Sequence, residues 1–112
     1  MQIYGLKTCD TCRKARKWVE AEGIEHQWFD IRADGVPLAI MQQAMKALGH
    51  KQLLNRRSTS WRQLGDADKA NIDNDKAVEL IMANPALMKR PLFVSDKGFV
   101  AGFDKQGVLD LI

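Results

Sequence analysis

Two thiols carry the chemistry open to this chain. Cys9 and Cys12 are its only cysteines, set in the run Cys9-Asp10-Thr11-Cys12. A short apolar opening, Met1-Gln2-Ile3-Tyr4, precedes them, and a strongly helical stretch beginning at Arg13 follows. A helix N-terminus carries about half a positive charge, which favours thiolate over thiol. Thiolate is the form that attacks disulfides and other electrophiles. A Cys-x-x-Cys between a first strand and a first helix therefore reads as a redox motif. The motif predicts Cys9 as the low-pKa nucleophile with an exposed sulfur. Cys12, one turn further in, is expected to be an ordinary thiol.

Two other uses of a cysteine pair are weaker. A structural zinc site needs a second pair of ligands. The remaining candidates, His26 and His50, are far apart and lack the usual spacing, so no metal is expected. A pair of buried core cysteines is disfavoured by the polar Asp10-Thr11 between them and the charged run after them.

The elements that must position the motif can be read around it. Met1 to Tyr4 reads as a strand, and Gly5 to Thr8 as a loop. A helix follows from Cys9 or Asp10 to about Glu22, with Ala15, Trp18 and Val19 at helical spacing and Gly23 as its stop. Gln27 to Ile31 is aromatic and β-branched and reads as a second strand. Strand, helix, strand makes a parallel pair with a right-handed crossover. Pro37 opens a helix with an apolar stripe of Leu38, Met41, Met45 and Leu48, ended by Gly49. Lys51 to Leu64 is basic and less regular, and Asp66 to Asn74 is acidic and polar. A helix from Asp75 to Ala83 should bury Val78, Ile81 and Met82, with Pro85 ending it. Pro91-Leu92-Phe93-Val94, a turn at Asp96-Lys97-Gly98, and Phe99-Val100-Ala101 form a hairpin. Asp104 caps a last helix through Val108, Leu109 and Leu111. The fold class is α/β, with a small mixed four-stranded sheet. A helical insert, about residues 36–88, separates the βαβ unit from the C-terminal ββα unit.

Composition sets the frame. At 112 residues the chain can bury one core and is expected to be a single domain. Its 46% hydrophobic and 28% charged residues are ordinary for a globular protein, and no apolar run is long enough to span a membrane. The N-terminus lacks the apolar segment of a signal peptide, so the expected location is cytoplasmic. In that reducing setting adjacent thiols are more often catalytic than stapling. A net charge of +3, with acids spread among the bases, argues against direct nucleic-acid binding.

Cations close to the motif complete the candidate site. Lys7, Arg13, Lys14, Arg16 and Lys17 flank it; Arg13, in the first helical turn, is placed to hydrogen-bond near the thiolate. Arg56 and Arg57 lie in Leu53-Leu54-Asn55-Arg56-Arg57-Ser58. Guanidinium groups bind carboxylates and oxyanions by paired hydrogen bonds. Arg90-Pro91 stands just before the third strand, where Arg90 either faces the cysteine loop or is simply solvated. Most X-Pro bonds are trans.

The whole chain resembles the arsenate reductase-like family, which includes ArsC, YffB proteins and Spx regulators. Tyr4, Cys9-Asp10-Thr11-Cys12-Arg13-Lys14-Ala15, Leu53-Leu54-Asn55-Arg56-Arg57, Trp61-Arg62-Gln63-Leu64 and Lys89-Arg90-Pro91-Leu92 carry the resemblance. It implies a thioredoxin-like fold with a helical insert, a cis peptide at Pro91 and a nucleophile at Cys9. Arsenate reductases of this type use one cysteine and three arginines. Cys9 and Arg90 match, whereas Asn55 and Phe103 stand at the other arginine positions. Compact length without the longer C-terminal region of Spx, together with Asn-Arg-Arg and Thr-Ser-Trp-Arg, is most similar to YffB. The resemblance implies a thiol-disulfide oxidoreductase that takes glutathione as reductant or co-substrate and holds no bound cofactor. The expected site is Cys9, Cys12 and Arg90, with Lys7, Arg13, Arg57 and Pro91 binding glutathione or a protein disulfide. The alternatives are a redox-sensing regulator that binds RNA polymerase, as Spx does, and an arsenate reductase with an incomplete arginine set.

Overall fold

In the computed structural model, which describes residues 1–112, alternation of side chains along short strands fixes the sheet. The strands are β1 (Gln2–Gly5), β2 (Gln27–Asp30), β3 (Leu92–Ser95) and β4 (Gly98–Ala101), in the order β2-β1-β3-β4. β1 and β2 run parallel, with Ile3 beside Trp28 and Tyr4 beside Phe29. β3 runs antiparallel to both β1 and β4, so the sheet is mixed. The hairpin turns through Gly98, whose φ of 142° suits a residue without a Cβ.

Between β1 and β2 runs α1 (Asp10–Ala21). Its buried residues, Cys12, Ala15 and Val19, fall on one stripe at helical spacing. It ends where Gly23 takes φ 67° and Ile24 N–H donates to the Val19 carbonyl at 3.1 Å, a Schellman-type close. Ile3, Ala15, Val19, Phe93, Val108 and Leu111 form one buried cluster. Ile3 and Phe93 are register partners on the sheet, so α1 and the last helix, α7 (Lys105–Asp110), cover the same face. Asp104 caps α7 through the Gly107 N–H, and Gly107 has no room for a Cβ because that atom would sit 2.7 Å from the Asp104 carboxylate. The opposite face carries Tyr4 stacked on Phe29, ring centroids 5.1 Å apart.

The chain divides into two compact units, Met1–Asp34 with Arg90–Ile112, and Gly35–Lys89. The second unit is helical: α2 (Leu38–Leu48), α3 (His50–Leu53), α4 (Thr59–Arg62), α5 (Asp66–Lys69), α6 (Asn74–Ala83) and a 3₁₀ turn (Pro85–Leu87). Asp73, not Asp75, marks the start of α6, because its carboxylate accepts the Lys76 N–H. Met41, Ala44 and Met45 of α2 are buried, but Leu38 at the helix start is 50% exposed and lies off the stripe. In α6 the buried positions are Ala77 and Ile81; Met82 is on the outer side and exposed. The basic stretch gains order from backbone pairing: Leu54 bridges Met88, with Asn55 N–H on the Leu87 carbonyl and Lys89 N–H on the Leu53 carbonyl, both 2.8 Å.

Candidate active site

The exit of β1 places the first sulfur. Leu6 to Thr8 carry the chain from Gly5 to Cys9, and the Cys9 N–H turns back to the Leu6 carbonyl at 3.3 Å. Cys9 is the N-cap of α1, in extended conformation, and accepts the Arg13 N–H on its carbonyl at 2.9 Å. No side-chain oxygen caps this helix. A sulfur stands in that place instead, and the backbone N–H of Cys12 is directed at it. Cys9 makes no side-chain capping hydrogen bond, and its sulfur stands at the helix start, where the partial positive charge of the helix end favours thiolate.

The second strand pair places the cation. β1 and β3 pair Tyr4 with Leu92, and extending that register by one residue sets Pro91 beside Gly5. The Arg90-Pro91 peptide is cis, and the buried Pro91 gives its carbonyl to the Gly102 N–H at 2.9 Å. Arg90, half-buried, reaches the Cys9 sulfur with its guanidinium. Partial burial works against ionisation of Cys9. The Cys12 N–H, the Cys12 thiol and the Arg90 charge together outweigh it and hold the Cys9 thiol below its ordinary value. Cys9 is half-buried, so its sulfur remains in reach of solvent.

Cys12 is a different kind of thiol from the ordinary one expected. It is fully buried. Burial pushes it up to about 12, and the neighbouring Cys9 thiolate adds to that, against the Leu6 N–H and the Arg90 charge. Its S–H donates toward Cys9 and its sulfur accepts from Leu6. The polar residues between the cysteines face outward, while Cys12 lies on the inner stripe of α1 with Ala15 and Val19.

Gly5 and Trp28 make the slot that holds Cys12. A Cβ on Gly5 would sit 2.8 Å from Trp28 Cζ2 and 3.0 Å from Cys12 Sγ. These two residues were not singled out by sequence reasoning. The signal was available: period-two alternation puts Gly5 and Trp28 on the Ile3 face, toward the helix that follows the motif. Arg16 lies over the Trp28 ring, 5.4 Å from its centroid.

The other expected binding residues are placed as follows. Lys7 is exposed in the cysteine loop. Arg13 is turned away from the thiolate: its guanidinium pairs with Asp10, its i,i+3 neighbour on the exposed face of α1. Arg57 is exposed in the Gly35–Lys89 unit, where Asn55 Oδ1 accepts its backbone N–H at 3.1 Å. Arg56 lies over Trp61, 5.4 Å from the ring centroid. Phe103 packs on Trp18 with ring centroids 5.7 Å apart. No three His, Cys, Asp or Glu side chains converge as metal ligands, and no helix is long and apolar enough to cross a membrane.

The sequence profile of the ArsC family matches residues 4–111. The chain belongs to the ArsC family. An uncharacterized protein of Haemophilus influenzae is 39% identical over 104 residues, spanning 93% of this chain and 91% of its own. The global transcriptional regulator Spx of Listeria innocua is 25% identical over 108 residues, spanning 95% of this chain and 82% of its own. A solved YffB protein superposes with a TM-score of 0.92 at 32% identity, covering 98% of this chain and 96% of that one. In this ArsC-family chain the mixed four-stranded sheet and the cis Arg90-Pro91 peptide agree with the thioredoxin-like fold that the resemblance implied.

Proposed function

We propose that this protein is a thiol-disulfide oxidoreductase that uses glutathione, with Cys9 as the nucleophile. One observation carries the reading: a half-buried sulfur at a helix N-terminus meets the Cys12 N–H and the Arg90 guanidinium, which lower its pKa against the opposing effect of burial. A thiolate so held forms more readily than at an ordinary cysteine and is open to attack on a disulfide. Cys9 attacks one sulfur of the substrate disulfide and the other leaves as a thiolate. Arg90, and exposed Lys7 in the loop just before Cys9, offer cationic groups suited to a glutathione carboxylate. The test is multiple turnover of a glutathione mixed disulfide with glutathione as the only reductant. Saturable turnover that vanishes in Cys9→Ser supports the reading; no turnover by the intact protein removes it.

The similarity to Spx favours a second reading, a redox-responsive regulator that binds RNA polymerase. There the thiols would alter a binding surface and turn over little substrate. Copurification with polymerase, dependent on the oxidation state of Cys9, would support it over the enzyme.

A further inference from the structure

Cys-x-x-Cys sites are commonly read as a nucleophile followed by a resolving thiol. The burial of the second sulfur points elsewhere here. We propose that Cys12 is a positioning residue whose buried S–H donates to the Cys9 thiolate and stays reduced through turnover, while a second thiol from solution resolves the Cys9 mixed disulfide. This rests on the disulfide-exchange reading above.

The geometry has three parts. Cys12 has 0% exposure. A methyl on Gly5 would lie 3.0 Å from its sulfur and 2.8 Å from the Trp28 ring, so little free space remains beside it. The Leu6 N–H donates to the Cys12 sulfur, and the Cys9 sulfur accepts the hydrogen bond of the Cys12 S–H. To resolve, Cys12 would have to ionise inside this slot, and burying a charge there is costly. Burial is the largest of the effects that raise its thiol, and it does not depend on the charge of Cys9. A solution thiol ionises in water and meets Arg90 at a half-buried sulfur. Once Cys9 is in a mixed disulfide its own charge is gone, and the guanidinium faces the incoming thiolate instead.

The exchange balances without Cys12. With a substrate R–S–S–G, where G–S is glutathione, Cys9 S⁻ attacks the glutathione sulfur. The S–S bond of the substrate breaks, and R–S⁻ leaves and takes a proton from water. A second glutathione thiolate, its proton lost to water, then attacks the same glutathione sulfur. The bond to Cys9 breaks, Cys9 S⁻ is restored, and glutathione disulfide leaves. The substrate sulfur is reduced, one glutathione thiol is oxidised, and it leaves joined to the glutathionyl group that the substrate brought, as glutathione disulfide.

Cys12→Ala and Cys12→Ser separate the roles, because serine can donate the hydrogen bond but cannot form a disulfide. In each variant Cys9 is the one remaining thiol, so its titration by thiolate absorbance is unambiguous. Alanine should raise the Cys9 pKa and slow turnover at neutral pH by about tenfold, and serine should restore the pKa and bring turnover within about threefold of wild type. Serine as slow as alanine, with the Cys9–glutathione adduct accumulating, would overturn the proposal. The wild-type protein gives an independent readout. Acid-quenched samples taken during turnover should show a glutathione adduct by intact mass, and a Cys9–Cys12 disulfide as the main oxidised form would sink the proposal. If wild type does not turn over at all, the disulfide-exchange reading has failed. The Cys9 titrations still decide the hydrogen bond, which is refuted by equal values in wild type and Cys12→Ala.

Discussion

Gly5 and Cys12 touch: the backbone at the end of β1 leaves no room for a methyl group because Cys12 Sγ would be 3.0 Å from it, with Trp28 Cζ2 closer still at 2.8 Å. Gly5→Ala must therefore displace the indole ring, the sulfur or the strand. Overpacking of this kind costs about 1–3 kcal/mol. Urea denaturation should show that loss. Gly5→Ala combined with Trp28→Phe should recover part of it, since the two sites share the contact. Equal stability of Gly5→Ala and wild type would mean that the slot is loose.

The two thiols should label far apart in pH. Iodoacetamide reacts with thiolate, so Cys9 should label with an apparent pKa below 9.0, the ordinary thiol value, and Cys12 only as pH approaches about 12. Peptide mapping after pulses at stepped pH reads both. A Cys12 that labels as early as Cys9 contradicts the buried geometry.

Arg90 should matter more to the chemistry than Arg56. Arg90→Ala removes a charge and a hydrogen bond from the Cys9 sulfur, so the Cys9 pKa rises and disulfide turnover at neutral pH falls by about tenfold. Arg56 is exposed and lies over Trp61, and Arg56→Ala should leave the Cys9 titration in place. Measuring the Cys9 titration and turnover in both variants side by side tests the order. The reverse ranking would show that the cation acting on Cys9 has been misassigned.

Stability should fall in alkali partly through Cys12. Its folded pKa is raised, so below 9.0 both the folded and unfolded states hold the proton and the folded state is not penalised. Between 9.0 and about 12 the unfolded chain releases the proton first, and folding stability is lost as pH rises. Burial raises Tyr4 as well, which acts in the same direction. Cys12→Ala should flatten this part of the stability–pH curve relative to wild type, as read by thermal melts. A parallel curve would show that Cys12 contributes no such linkage.

Arsenate should be a poor substrate. The resemblance to arsenate reductases implies an arginine where this chain has Phe103; that ring packs on Trp18 and offers no hydrogen bonds to an oxyanion. Arsenate turnover with glutathione and a glutaredoxin should stay near background. Efficient saturable turnover would favour the arsenate reductase reading.

The order of elements was legible in the chain because each signal is local. Gly23 closing α1, Asp104 capping α7 and the Gly98 turn depend on a few neighbouring residues, and period-two or helical spacing marks the rest. Local rules also erred locally: Leu38 and Met82 are apolar but exposed, because the packed side of a helix is set by what lies against it. The place of Cys9 at a helix start was legible for the same reason, since it needs only the motif and the helix. What the sequence could not decide was the state of Cys12 and the aim of two arginines. Asp10 and Thr11 made the loop look polar, yet the helical stripe carries Cys12 inward to Gly5 and Trp28, residues brought there by two different strands. Arg13, next to Cys12 in sequence, turns to Asp10, while Arg90, 81 positions beyond Cys9, reaches the sulfur through the antiparallel pairing of β1 and β3. Burial and charge act through space, and strand register, not nearness along the chain, settles which groups share that space.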